Sequence, residues 1–161
     1  MSLIVRDATS VDLAGLPAIE LSGEPMFAER GIVFPAGPAT VEVAIAQGAE
    51  IVVAGDPPVA FAAVINLDGH PHLEQISVHA DQVRRGVGNL LLLEVVRRSR
   101  PGLTLITFRD VPWNGPWYQR HGFVEFPQSA WGPQVRAHWQ AEIDAGLHDL
   151  GPRFVMHFPG E

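Results

Sequence analysis

The sequence predicts an α/β (α+β) fold, with a mixed, mostly antiparallel sheet of about six or seven strands flanked by helices. Three observations predict it. Short β-branched and apolar runs alternate with turn clusters and with stretches of helical periodicity. Residues 50–54, 59–67 and 72–78 follow one another across Gly55-Asp56-Pro57-Pro58 and Asp68-Gly69-His70-Pro71, as the strands of an antiparallel meander do. A strand at 72–78, a helix at 87–98 and a strand at 103–108 then make a crossover unit, whose two strands run parallel.

In chain order, residues 3–6 form a β-branched run that predicts a first strand. Thr9 and Ser10 offer an N-cap for a helix over 11–21, and Pro17 inside that pattern predicts a kink or an early stop. Ser22-Gly23-Glu24-Pro25 is a second helix start. Residues 31–38 read as loop, and 40–47 as a short helix with Val41, Ala44 and Ile45 at helical spacing, stopped by Gly48. Beyond the crossover, Pro101-Gly102 breaks the chain, Asn114 caps a short helix carrying Trp117, Tyr118 and Arg120, and Gly122 ends it. Residues 123–126 predict a strand, 133–145 a helix with Val135, His138, Trp139 and Ile143 on one side, and 153–158 a last strand. With no repeat or low-complexity tract, one domain over 1–161 is expected.

Composition narrows the function. Hydrophobic residues make up 47% of the chain, enough for a sizeable core. A net charge of −7 argues against nucleic acid and anionic membrane surfaces as partners. All 11 basic residues are Arg, so each positive charge is delocalised and suited to bidentate contacts. The lack of Cys removes disulfides, a thiolate nucleophile and zinc–thiolate centres. No segment reaches membrane-spanning length and the first residues carry no apolar leader run, so a cytoplasmic location is expected.

Residues 73–96 concentrate the chemistry. Leu73-Glu74-Gln75-Ile76-Ser77-Val78 reads as a strand and His79-Ala80-Asp81-Gln82 as a turn; Val83-Arg84-Arg85-Gly86-Val87-Gly88 then opens a leucine-rich helix. A helix N-terminus offers unpaired N–H groups and a positive dipole end, and glycines let an anion approach the backbone. Arg84 and Arg85 stand at the end where the dipole disfavours cations, Arg97 and Arg98 at the end where it favours them. A bound polyanion would offset the first placement, so the stretch reads as a phosphate site.

Two blocks resemble the GNAT superfamily of acetyl-CoA-dependent N-acetyltransferases. One is Ile76-Ser77-Val78-His79 leading into Arg85-Gly86-Val87-Gly88-Asn89-Leu90-Leu91, which looks like the family's strand, pyrophosphate loop and helix. The other is Asn114-Gly115-Pro116-Trp117-Tyr118-Gln119-Arg120-His121-Gly122-Phe123, which looks like its Asn–Tyr–Gly-Phe helix. Either block alone is weak; the two in their secondary-structure contexts are specific. The loop departs from the family's pattern: Val83 stands where Gln or Arg is usual, Gln82 lies one place earlier, and Arg84 replaces a frequent glycine.

The resemblance implies a GNAT-like sheet with a splayed parallel strand pair at the cofactor site. It implies that N–H groups of Ile76, Ser77 and Val78 hold the pantetheine arm, one near Val78 polarising the thioester carbonyl. Val83, Arg84, Arg85, Gly86, Val87 and Gly88 would hold the pyrophosphate, and Asn114 would hydrogen-bond the cofactor. Tyr118, also at the cofactor, matches the usual general acid for the CoA thiolate, and a phenol pKa of ~10 suits donation. Glu74 lies on the same strand face as Val78 by the period of two and is the first choice for general base, with His72 or His79 the second.

The expected activity is acetyl transfer from acetyl-CoA to a primary amine of a small molecule or peptide, by direct attack in a ternary complex and without metal. The family often forms dimers, so a homodimer is one expected state. A non-catalytic acyl-CoA-binding regulatory domain is the alternative. A nucleotide-binding crossover of another kind is third, disfavoured because no early GxGxxG occurs. A metal shared by His70, His72 and His79 is a minor reading beside solvated histidines. The acceptor has no charge signature, although Glu20, Glu24 or Glu29 could greet a cationic amine. Trp131 and Trp139 read as core or a dimer contact, and Arg97, Arg98 and Arg100 as a solvated helix end.

Overall fold

Asp68 and Gly69 form a two-residue hairpin in which both take positive φ, 56° and 77°, the turn whose twist matches that of the strands it joins. That turn fixes the register of the meander. The computed structural model describes residues 3–99 and 102–160. Its strands are β1 (Val5–Asp7), β2 (Glu50–Ala54), β3 (Ala60–Leu67), β4 (His70–Val78), β5 (Thr104–Phe108), β6 (Val124–Glu125) and β7 (Arg153–His157). Its helices are α1 (Ser10–Leu13), α2 (Leu16–Ser22), α3 (Glu24–Ala28), α4 (Thr40–Ala46), α5 (Val87–Ser99), α6 (Gly115–Arg120) and α7 (Pro133–Asp144). The strands lie in one sheet in the order β1-β2-β3-β4-β5-β7-β6. Every neighbouring pair is antiparallel except β4 and β5, which are parallel as the crossover through α5 requires.

The period of two sorts the strand residues between two cores. Ala60 and Ala62 of β3 face α5, where Val87 and Leu91 are buried with Val52, Ala54 and Ala60, and Leu92 and Val95 with Ala62, Leu73, Leu105, Phe154 and Met156. Phe61 and Ala63 face the opposite way, onto Leu16 and Ile19 of α2 and Val41 and Ala44 of α4. The segment 11–21 breaks between α1 and α2, and Pro17 sits in the first turn of α2, where its missing N–H costs nothing. The proline therefore starts a helix instead of stopping one. Glu20 does not face an acceptor: its carboxylate takes the N–H groups of Thr40 (2.6 Å) and Val41 (2.9 Å), capping α4. Arg98 is no solvated helix end, since it pairs with Glu94, Asp7 (2.6 Å) and Glu50 (3.1 Å) and ties α5 to β1 and β2. Arg100 lies outside the described residues. Trp131 and Trp139 meet at 5.1 Å with their rings tilted by 54° and are half-buried, with Trp139 edge-on to His148 at 4.3 Å. No helix of the described residues is long and apolar enough to cross a membrane.

Candidate active site

The parallel pair is short. β4 and β5 pair only at His72–Thr104 and Leu73–Leu105, and from Glu74 to Val78 β4 keeps β3 alone as a partner. The two strands fork there. The N–H of His79 donates to the Val59 carbonyl at 2.8 Å. Because N–H direction alternates along a strand, Val78 and Ile76 turn theirs away from β3 into the fork, while Ser77 points its own at β3. Of the three expected arm-binding N–H groups, two therefore face the opening.

One mouth of the fork is the basic loop. After a 3-10 turn at Ala80–Gln82, Val83 is extended (φ −66°, ψ 155°) and Arg84 takes φ 66°. Glycine adopts that left-handed region freely and an arginine adopts it at a cost of about 1–3 kcal/mol, which explains a frequent glycine in the resembling loops. Gly86, at φ 81°, makes the second left-handed step before α5. Successive N–H groups in such a run form an anion-binding nest continuous with the helix N-terminus. Arg84 and Arg85 are exposed and make no ion pair among the described residues. Val87 buries its side chain with Leu91, so only its backbone faces the loop. Gly88 lies between Val78 and Trp117.

The other strand of the fork leads to α6. Gly115 seats this helix: a Cβ there would lie 2.5 Å from the Arg109 carbonyl oxygen and 3.0 Å from that of Phe108. Asn114 precedes it but does not cap it through its side chain, contrary to the sequence expectation. Its Nδ2 donates to the Trp113 carbonyl at 3.3 Å, and its Oδ1 is buried with no partner among the described residues. Tyr118 is buried, its ring 5.5 Å from Phe123 and 5.0 Å from Trp117, and its hydroxyl bonds to none of the described residues. Burial pushes the phenol pKa up, so it stays protonated. Two strand N–H groups, an orphaned amide oxygen and a helix N-terminus fit an extended, amide-bearing arm that ends in phosphates.

Glu74 sits at the point of the fork, and a bulge places it. Ala63 pairs with Gln75 and Val64 with Leu73, so Glu74 is the extra residue of β4. The bulge shifts the strand's phase, and the expected common face of Glu74 and Val78 is lost. Val78 packs toward α5 beside Val87 and Leu91, whereas Glu74 reaches α7 on the opposite face and accepts from His138 Nε2 at 3.0 Å. His72, also on that face, meets His138 edge-on at 5.2 Å, and its Nδ1 is 2.7 Å from Thr104 Oγ1. Nitrogen and oxygen atoms of His72, Glu74 and His138 lie within 4.8 Å of one another. Burial lowers the His72 pKa to about 4 and keeps it neutral. Burial works to raise the Glu74 carboxyl, but the hydrogen bond and charge of His138 outweigh it and leave the group below its ordinary value. The hydrogen bond to Glu74 raises His138.

The hairpin turn positions α7. Asp68 accepts from the N–H groups of Gln134 (2.8 Å) and Val135 (3.0 Å), and Gly132 leaves room for that carboxylate. Asp68→Ala removes this cap and a residue tolerant of left-handed φ, and is expected to cost about 1–2 kcal/mol. Thermal melting should fall by roughly 2–8 °C, while Asp68→Asn, which keeps an acceptor and tolerates left-handed φ, should retain most of the wild-type stability.

The structure thus gathers Glu74, His72, Val78, the basic loop, Asn114 and Tyr118 around one fork. It separates the other histidines: His70 lies by Gly102, and His79 accepts from the Asp81 N–H at 3.2 Å within its own turn. His138 was not singled out from the sequence, because nothing local distinguishes it from a helix residue packed on a sheet.

Residues 47–125 match the family model for acetyltransferase (GNAT) domains. An acetyltransferase of the GNAT family from Staphylococcus aureus Mu50 superposes with a TM-score of 0.71 at 16% identity, over 99% of this chain and 100% of that one. The ribosomal-protein-S18-alanine N-acetyltransferase from Escherichia coli gives 0.65 at 17% identity, over 98% and 93%. A PaiA N-acetyltransferase from Thermoplasma acidophilum, solved with coenzyme A, gives 0.65 at 14% identity, over 99% and 100%. At these identities the structures speak for the fold, and the matched segment 47–125 contains the fork, the basic loop and Tyr118. The chain is thus similar to GNAT acetyltransferase domains in sequence over 47–125 and in fold over nearly its whole length.

Proposed function

We propose that the chain acts as one domain, an N-acetyltransferase that moves the acetyl group of acetyl-CoA to a primary amine of a small molecule or peptide by direct attack in a ternary complex. The carrying observation is the fork, a length of strand whose N–H groups point away from β3 between an anion nest and a protonated phenol that bonds to none of the described residues. Acetyl-CoA supplies an activated acyl group and a thiolate leaving group. The nest of residues 83–88 and the N-terminus of α5 hold its phosphates, with Arg84 and Arg85 alongside. The N–H groups of Ile76 and Val78 and the amide of Asn114 hold the arm. Val78 lies ~13 Å along the strand from Glu74 and Ile76 about half that, so Ile76 is the donor whose carbonyl partner falls within reach of the Glu74 side. The Ile76 N–H polarises the thioester carbonyl, and Tyr118 protonates the departing sulfur. The basic group comes from Glu74 and the imidazole it holds.

Release of free thiol from acetyl-CoA, followed with a chromogenic disulfide across a panel of amino acids, polyamines and N-terminal peptides, tests the reading. At least one amine is expected to turn over with stoichiometric acetyl-amide. Tight acetyl-CoA binding by calorimetry with no turnover on any amine would favour a regulatory acyl-CoA-binding domain instead.

A further inference from the structure

We infer that His138 is the group that takes the proton from the attacking amine, through Nδ1, and that Glu74 is a positioning residue acting through it. This rests on the acetyltransferase reading above. The two groups that move protons stand on opposite faces of the sheet. Tyr118 belongs to the core on the α5 face with Leu73, Leu92 and Leu105, while His138 and Glu74 lie on the α7 face. An amine entering from the α7 side meets the thioester carbon with the base behind it. The sulfur then leaves toward the phenol.

Glu74 itself is poorly placed to be the base. One of its oxygens is engaged by His138 Nε2, and its carboxyl is held more acidic than usual, which makes it a weak proton acceptor. The same hydrogen bond has the opposite effect on its partner. It fixes the tautomer with the proton on Nε2, leaves Nδ1 with its lone pair, and makes that nitrogen more basic. His138 Nδ1 has no hydrogen-bond partner among the described residues. The charges that face the ring are Glu74 on β4, Glu142 on α7 itself and Arg153 on β7, beside the neutral ring of His72. His138 is half-buried and also borders an open groove at the hairpin end of β4, beside His70 and Pro71.

The step balances without another reactant. As the amine nitrogen bonds to the acyl carbon, its proton passes to Nδ1. The C–S bond breaks, its electron pair stays on sulfur, and the Tyr118 proton follows. His138 returns its proton to solvent, Tyr118 regains one, and the products are an amide and a thiol.

The test uses the full chain, one accepted amine, and the pH dependence of kcat/KM. The wild-type acidic limb should lie above the ordinary imidazole value of ~6.5, because His138 must be neutral to accept. Glu74→Gln, which keeps an acceptor for Nε2–H but loses the charge, should move that limb to lower pH. The acceptor's own pKa is common to both proteins. His138→Ala should lower kcat roughly 100-fold, and free imidazole should restore at least about tenfold. A proton NMR titration of the His138 ring, which needs no turnover, should give a high pKa that falls in Glu74→Gln. If no amine turns over while the NMR result holds, the acetyltransferase reading fails and the dyad stands. If amines turn over but His138→Ala keeps kcat within twofold with an unchanged pH profile, the inference is overturned. Loss of activity to a chelator and its return with zinc would also overturn it.

Discussion

Tyr118→Phe is expected to lower kcat by about 10²–10⁴-fold while leaving the melting temperature within a degree or two of wild type. The two halves of that expectation have separate causes. The hydroxyl bonds to none of the described residues, so its removal leaves no buried partner unpaired. The phenylalanine ring keeps the contacts with Phe123 and Trp117. What disappears is a proton that burial holds above the ordinary phenol range, the one the proposed mechanism gives to the leaving sulfur. Thiol-release kinetics at saturating acetyl-CoA, beside a thermal melt, measure both. A variant as active as wild type would remove Tyr118 from the chemistry.

Gly115→Ala should damage fold and activity together. The added methyl would meet two carbonyl oxygens of the chain, at 2.5 and 3.0 Å, and backbone cannot step aside as a flexible side chain can. Relief has to come from moving the start of α6, at a cost of about 2–3 kcal/mol. For a domain of this size the melting temperature should fall by roughly 4–12 °C. The residues on either side, Asn114 and Tyr118, would shift with the helix, so kcat/KM for acetyl-CoA should fall further than the loss of folded protein explains. Melting by circular dichroism and kinetics below the transition separate the two. A melting point unchanged within a degree would show that the helix start yields more easily than its packing implies.

Much of this arrangement is legible in the residues, and the reasons differ from place to place. The meander follows from Asp68-Gly69, because few residue pairs accept two positive φ angles in succession. The loop before α5 follows from its glycine spacing, and the mismatch at Arg84 acquires a physical meaning: the position is left-handed whichever residue fills it. The Glu74–His138 pair was out of reach of the sequence. It depends on one extra residue in β4, and a bulge leaves no periodic trace in a strand whose two faces are both half-buried. It also depends on a helix whose entry point is set by Asp68, 66 residues from Gln134. Asn114 shows a third kind of gap, since its residue type suits an N-cap while its Nδ2 bonds the neighbouring backbone and its buried Oδ1 bonds none of the described residues.

The fork makes β4, beyond Leu73, an edge strand in the middle of a sheet. Edge strands elsewhere invite other chains to pair with them, and proteins blunt them with charge, proline or a covering element. This one is shielded by position, because helices lie over both faces and only something as slender as a single extended chain can enter. A ligand whose amides pair there would complete the sheet as an eighth, detachable strand. Its concentration would then set how much of the sheet's hydrogen bonding is satisfied, and with it the stability of the whole domain.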